Sequence, residues 1–402
     1  MHLRFLRRLV LGAAITGAAI GAVPAMASAA TTSCSYDAAN GGTLTVNDGS
    51  GALPLRISIQ GTFIAIDETD TPKICAGSGT FALTTNTNLI KVRGRFSSAA
   101  DSLIVDQSAG PLGPGTTPES DGSSEVEVNF DNAGGPRGNV SVVGTAQADQ
   151  MFVGGTLGNV NIGNDKDLDV VVVGGNASVD LAGAGGDDTL SGRGNGLNSG
   201  IGATNVRLRL FGGDDKDAIF GGKAPNDILQ GDNGSDVVMS NDGENGDIVG
   251  GGFGDDFGFV DSGEVKIDSL EHLTFVGPVG SLRMAPRVVK AEAGMISRLK
   301  VGWKHPQAWR ELRKVKVSLY DGKEAVGTID VRPAAGRLAS TGVVDLKATR
   351  CKVRHHGKWV TASLAMSLPK SLADHDLRVD VAATDKHGDK QLVPAAGTIR
   401  VR

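Results

Sequence analysis

The sequence predicts an all-β protein, a parallel β-solenoid followed by a β-sandwich. Three observations carry that expectation. A glycine-rich hexad that ends in an acid and runs into a short apolar step recurs six times between residues 182 and 260, mostly at spacings of nine to eleven residues. Aromatics are only 4% of the chain against 58 glycines, too few large rings for a broad aromatic core. Beyond residue 280 glycine thins out and alternating apolar–polar runs take over. At 402 residues, two or three domains are expected.

Residues 1–30 read as a secretory signal. Arg4, Arg7 and Arg8 precede an apolar run at 9–23, and Ala27-Ser28-Ala29 offers small residues for cleavage. The Arg7-Arg8 pair also permits twin-arginine export. The run is too short and too glycine-interrupted for a spanning helix, and no later stretch could cross a bilayer. The expected location is therefore extracellular or at the cell envelope. Residues 31–90 are read as an amino-terminal cap, which an open sheet end requires. Cys34 and Cys75 are the only cysteines there, and outside the cell they can pair. Closing such a loop stabilises by roughly 4 kcal/mol on chain-entropy grounds. Thr43-Leu-Thr-Val46 and Leu55-Arg-Ile-Ser-Ile59 alternate as half-buried strands do, and Phe63-Ile-Ala-Ile66 adds an apolar strand.

Residues 91–280 are assigned to the solenoid. An eroded form of the coil runs from Thr84 to Asp180, where Asp101 and Asp149 keep the acid-x-apolar step and are read as turn formers. Residues 110–122, rich in Gly, Pro, Ser and Thr, read as a protruding loop. The full copies are Gly183-Ala-Gly-Gly186-Asp-Asp188-Thr-Leu190, Gly212-Gly213-Asp214-Asp215-Lys-Asp217-Ala-Ile219 and Gly221-Gly222-Lys-Ala-Pro-Asn226-Asp227-Ile-Leu229. Three more follow: Gly231-Asp232-Asn233-Gly234-Ser-Asp236-Val-Val238, Asn241-Asp242-Gly243-Glu244-Asn245-Gly246-Asp247-Ile-Val249 and Gly251-Gly252-Phe-Gly254-Asp255-Asp256-Phe257.

Nine residues suffice for one tight turn and one short strand. Glycine supplies the positive φ of the turn, and the apolar residue two places after the acid points inward. Stacked coils are expected to pair in parallel and to pile Leu190, Ile219, Leu229 and Val238 into one thin core. Neighbouring turns then bring carboxylates and carbonyls together along one edge. An oxygen-only cage suits a hard cation with 6–8 ligands, which is calcium. Asp and Asn also favour turns for their own sake, so a purely structural role for these acids is the competing reading.

These residues resemble the RTX (repeats-in-toxin) calcium-binding nonapeptide, G-G-x-G-x-D-x-U-x, over about a fifth of the chain. The resemblance implies a right-handed parallel β-helix or β-roll with Ca2+ between adjacent turns. The implied ligands are Asp188, Asp217, Asp227, Asp236, Asp247 and Asp256, with turn carbonyls of Gly186, Gly212, Gly213, Gly222, Gly231, Gly234, Gly252 and Gly254. The chain departs from the motif where Asp215 and Asp232 replace glycines, where Pro225 intrudes, and where 29 residues separate Asp188 from Asp217. Fewer than six ions, weakly held, are expected for that reason.

Residues 265–275 are expected to close the stack and Gly277-Pro-Val-Gly280 to act as a short linker. In 281–402 the strands Leu299–Trp303, Val315–Leu319, Leu364–Leu368 and Leu377–Val381 argue for an immunoglobulin-like β-sandwich. Charge divides unevenly: 24 Lys/Arg and 11 Asp/Glu lie in 281–402, against 16 and 34 before it. The basic part predicts anionic cell-wall or surface polymers as partners, and export argues against nucleic acid. No Gly-x-Ser-x-Gly elbow or His-Glu-x-x-His occurs, and Gly243 sits where an EF-hand starting at Asp232 needs its bidentate Glu. Trp303 and Trp309 read as packing residues, and His355-His356 as solvated. The expected function is a non-catalytic, calcium-binding structural or adhesive protein. The alternatives are a β-helix polysaccharide-degrading enzyme, for which Arg207 and Arg209 are the nearest strand-borne bases, and a spacer presenting the basic sandwich.

Overall fold

The computed structural model describes residues 32–39, 41–49, 54–67, 72–94, 101–116, 125–132, 138–163, 165, 167–194, 202–261, 264 and 266–402. The export signal read at 1–30 lies outside them. The described chain is all-β, strands with four single-turn 3-10 segments between them.

Strand formation follows the period-two pattern. In Arg207–Gly213 the leucines 208 and 210 are buried while Arg207 and Arg209 face outward, so one face supplies core and the other water contact. One sheet runs in parallel steps through Leu55–Gln60, Leu103–Asp106, Asn139–Val143, Ser178–Ala184, Arg207–Gly213, Ile228–Asn233, Ile248–Phe253 and Lys266–Asp268. A second sheet holds two parallel series. Thr43–Asn47, Leu89–Arg93, Glu127–Asp131 and Val170–Val173 form the first. Gln150–Gly154, Thr189–Ser191, Ala218–Phe220, Val237–Met239, Phe257–Asp261 and His272–Gly277 form the second. Asn159–Ile162 bridges the two series, antiparallel to both.

The chain thus alternates between sheets, and this corrects the single core pile expected from the repeats. Leu190, Ile219 and Val238 stand in register in one sheet. Leu229 stands in the other, between Leu210 and Val249. The reason is geometric: one turn reverses the chain once, so two repeats are needed before a strand lies parallel to its predecessor. All six side chains are buried at 1% exposure or less, and they face one another as a thin aliphatic core.

Ser33–Asp37 and Phe63–Asp67 pair antiparallel with the first strands of the two sheets, and Cys34 is disulfide-bonded to Cys75, as the sequence led one to expect. The described part of the 110–122 stretch does not protrude. Leu112 is buried, Gly115 N donates to Thr84 O at 2.7 Å, and Thr116 N donates to Asn88 Oδ1 at 2.6 Å. Apolar burial at Leu112 outweighs the loop composition around it; residues 117–122 lie outside the described part.

The expected linker is also corrected. Gly277 and Gly280 close a tight hairpin between His272–Gly277 and Gly280–Ala285. Val279 inside it is fully buried, its carbonyl accepts Trp303 Nε1 at 3.1 Å, and its N–H donates to Gln391 Oε1 at 3.0 Å. Past it, Gly280–Ala285, Ile296–Lys304, Trp359–Ser367 and Lys352–His356 pair antiparallel in that order. A separate sheet has the order Val288–Ala291, Lys390–Val401, Asp376–Asp385, Leu312–Asp321, Glu324–Arg332, Arg337–Gly342. The inner faces of both join one apolar cluster through Leu299, Val301, Val317, Val379 and Leu364.

Candidate cation-binding ladders

Each repeat aspartate sits in the last turn residue before a strand, and parallel stacking puts equivalent turns above one another. Along one edge the aspartates form a ladder. Asp149 N–H donates to Asp188 Oδ1 at 2.7 Å, Asp188 N–H to Asp217 Oδ1 at 2.8 Å, Asp217 N–H to Asp236 Oδ1 at 2.8 Å and Asp236 N–H to Asp256 Oδ1 at 2.8 Å. Glu271 Oε2 ends it by accepting Asp256 N–H at 3.0 Å. A second ladder runs along the other edge. Leu208 N–H donates to Asp227 Oδ1 at 2.8 Å, Asp227 N–H to Asp247 Oδ1 at 2.9 Å, and Asp247 N–H to Glu264 Oε2 at 2.9 Å.

All six repeat aspartates are buried. One oxygen of each is used by the ladder. The second, Oδ2, has no hydrogen-bond partner at Asp188, Asp217, Asp236, Asp247 and Asp256. At Asp227 alone of the six it accepts a bond, from Gly222 N–H at 3.1 Å. A buried carboxylate oxygen without a donor is costly, and five in one stack are not accidental to the packing.

The turn glycines hold these oxygens close to neighbouring carbonyls. A Cβ on Gly183 would stand 1.9 Å from Asp188 Oδ2 and 2.5 Å from Gly212 O; on Gly212, 2.2 Å from Asp217 Oδ2 and 2.6 Å from Gly231 O. On Gly231 it would stand 2.3 Å from both Asp236 Oδ2 and Gly251 O, and on Gly251, 2.5 Å from Asp256 Oδ2 and 2.0 Å from Ser269 O. Of the carbonyls expected from the motif, those of Gly212 and Gly231 converge here, whereas Gly234 O stands against Gly254 beside Asp256 Oδ1, the oxygen the ladder already uses. Those of Gly186, Gly213, Gly222, Gly252 and Gly254 are not among the nearest oxygens at these points, while Gly183, Gly251 and Ser269 take part instead. The motif is written for the glycines that set φ; the carbonyls that converge belong to the residue that opens each turn.

The substitutions at turn glycines leave the register intact. Asp215 and Asp232 adopt φ of 76° and 73°, and Ala184 one of 82°, the left-handed region otherwise filled by Gly186, Gly213 and Gly252. Across the 29-residue gap, Ser178–Ala184 still pairs directly with Arg207–Gly213, and Thr189–Ser191 with Ala218–Phe220.

Burial drives the carboxyls upward, and neighbouring acids add to it. Asp188 is raised to about 7, Asp217 and Asp247 to about 8, Asp227 and Asp236 to about 6, and Asp256 is also raised. Without a counter-charge the stack favours protons; a divalent cation removes the reason for them. The donor set is all oxygen, and its orphaned Oδ2 atoms fit a calcium-type ion.

A further acidic group escaped the sequence reading. Carboxylate oxygens of Glu125, Asp165 and Asp169 lie within 4.8 Å of one another, an arrangement a metal ion can bridge. Asp165 is raised to about 7 and Asp169 well above its usual value, each first by burial and then by Glu125. Glu125 and Asp169 border a cavity of about 560 Å3 with Gln107, Leu112, Ile162 and Val170. Asp165 and Asp169 share one loop but Glu125 comes from 40 residues earlier, so no spacing in the sequence announces the group.

Other expectations resolve locally. Asp149 Oδ2 accepts Thr145 N–H at 2.6 Å, a turn role. Arg209 is ion-paired with Asp180, and Arg207 Nε donates to Asn226 O at 2.8 Å. Trp303 is buried, and Trp309 stacks on His355 with centroids 3.8 Å apart, so both tryptophans pack. Cys351 is a free thiol that accepts Ala365 N–H at 3.2 Å.

No family model matches the chain, and no curated protein matches it. Among solved structures, it is similar to a DUF4466 family protein from Parabacteroides merdae at 11% identity and a TM-score of 0.16. That match covers 29% of this chain and 43% of the other, so the chain spans less than half of that protein's length. A likeness at that score carries no argument about function.

Proposed function

We propose that the chain is a calcium-binding β-roll of the RTX type with an immunoglobulin-like sandwich behind it, acting non-catalytically as a structural or adhesive protein outside the cytoplasm. The observation that carries this reading is the run of five buried Oδ2 atoms without donors, four of which, at Asp188, Asp217, Asp236 and Asp256, are held against a turn glycine. Oxygen-only ligation at turns that repeat in register is what a hard divalent cation requires. Two parallel sheets joined by alternating turns support the roll. The two strand orders past Gly280 support the sandwich, because they follow the A-B-E-D and G-F-C-C′-C″ arrangement of a variable-type domain. The Cys34–Cys75 bridge supports an oxidising compartment. Arg207 and Arg209, the bases nearest the repeats, are engaged in structural contacts, which favours binding over catalysis.

Calorimetry of the chain with chelator and with millimolar Ca2+ tests the reading. Extracellular calcium modules bind at roughly 10⁻⁴–10⁻³ M, so melting is expected to rise steeply over that range. In Asp217→Ala combined with Asp236→Ala the rise is expected to shrink. Identical melting with and without the ion would overturn the proposal.

A further inference from the structure

In residues 281–402 one sheet carries six Lys/Arg and no acid along its four longest strands. Gly280–Ala285, Ile296–Lys304, Trp359–Ser367 and Lys352–His356 contain no Asp or Glu. The ion pairs of 281–402 lie on the opposite sheet and its loops, among them Lys314–Asp330, Arg378–Asp380 and Arg400–Asp376; Lys347–Asp345, at the far end of this sheet, is the exception among the described residues.

Register turns that excess into a track. Along Trp359–Ser367 the outward residues are Trp359, Thr361 and Ser363, all half-buried and uncharged. Lys300 and Lys352 flank Ser363 from the two neighbouring strands, Gly302 and Arg354 flank Thr361, and Lys304 and His356 flank Trp359. Arg283, one strand further out, lies level with Gly302. Lys300, Lys304, Lys352, Arg354 and Arg283 are all exposed, and none makes an ion pair among the described residues. Strands ~4.8 Å apart put the two cationic rows about 10 Å from each other, with a low floor between them. At one end the Trp359 ring lies over Gly302, where a Cβ would stand 3.6 Å from it, and the Arg283 guanidinium is 5.2 Å from its centroid.

We infer that this track binds a linear carboxylated polysaccharide, a chain of uronic acid units running along Trp359–Thr361–Ser363. A polymer with one carboxylate per ring meets ammonium and guanidinium groups on both sides, and guanidinium forks match carboxylates in two-point contacts. The hydroxyls of Thr361 and Ser363 suit sugar hydroxyls, and the half-buried Trp359 adds apolar contact surface at one end of the track. Single-stranded nucleic acid needs several stacking rings in succession, whereas this track has one. A membrane surface would favour apolar side chains standing above the cations, and here the ring lies below them.

The test uses the whole chain at one fixed calcium concentration and measures its binding to immobilised polygalacturonate, with uncharged galactan, duplex DNA and phosphatidylserine vesicles alongside. Binding to polygalacturonate and not to galactan is expected, weakening as salt rises. Lys300→Ala, Lys352→Ala and Arg354→Ala together are expected to weaken it on the order of tenfold or more. Lys323→Ala, Arg337→Ala and Lys390→Ala, an equal loss of charge elsewhere, is expected to leave it near the wild-type value. Trp359→Ala is expected to weaken polygalacturonate binding at unchanged net charge. Equal losses in the two triple variants, or tighter binding of DNA or vesicles than of polygalacturonate, would overturn the inference. Retained polymer binding by a chain that ignores calcium would sink only the calcium reading, because no ladder residue belongs to this sheet.

Discussion

Turn geometry makes opposite demands at neighbouring residues of one repeat. Gly212 must lack a side chain because its Cα faces Asp217 Oδ2 and Gly231 O, and a methyl there would stand 2.2 Å from the first and 2.6 Å from the second. The carbonyl is backbone and cannot swing aside, so Gly212→Ala is expected to cost about 1–3 kcal/mol by overpacking, read as a lower melting temperature. Ala184 has the converse problem. It carries a methyl at φ 82°, where an L-residue is strained by about 1–2 kcal/mol. Ala184→Gly is therefore expected to raise stability, by about 1 kcal/mol after glycine's extra unfolded-state entropy is set against the relief. A drop in melting temperature for Ala184→Gly would mean that the turn relaxes in solution.

Between the turns, strands of three to seven residues work only because their columns interlock. Leu229 is fully buried between Leu210 and Val249, so Leu229→Ala is expected to cost about 2–5 kcal/mol in denaturant unfolding. That Leu229 is core was legible from its place two residues after Asp227. Which column it joins was not, because the repeat displays the period of a turn, while pairing partners lie 19 or 20 residues apart. The same limit hid the ends of the ladders. Glu264 and Glu271 take the place of a further aspartate, and a motif written for Asp passes over them. Glu264 does more than end a row: besides Asp247 N–H it accepts Ser240 Oγ at 2.7 Å and Asp261 N–H at 3.2 Å. Glu264→Ala leaves those donors without their acceptor and is expected to destabilise by about 1–3 kcal/mol, more than Glu271→Ala, whose described bond is the single one to Asp256. Equal costs for the two would show that the additional bonds of Glu264 contribute little.

Over the whole molecule, the acidic ladders should give the chain a pH response of opposite sign with and without bound cation. The buried carboxyls of Asp188, Asp217 and Asp247 are raised to about 7, 8 and 8, against about 3.9 for an unfolded Asp. A carboxyl raised on folding contributes stability that is fully present below its unfolded value and is lost as pH climbs through its folded one. In chelator, melting is therefore expected to fall between about pH 5 and about pH 8.5, as each rung is forced to ionise beside its neighbours. Calcium ligands must be deprotonated, so the ion displaces those protons and its stabilisation grows over the same interval. The gap between the melting temperatures with and without Ca2+ should accordingly widen with pH, and proton release on calcium addition should be largest near neutrality. Asp217→Asn tests the link at one rung: the amide cannot ionise, so the chelated variant should lose part of the alkaline destabilisation while its calcium response shrinks. Parallel pH profiles with and without the ion would mean that the rungs are neutral for a reason other than an empty cation site. The Glu125–Asp165–Asp169 group would then be the next place to look, since Asp165 and Asp169 are raised by the same combination of burial and crowding but stand outside both ladders.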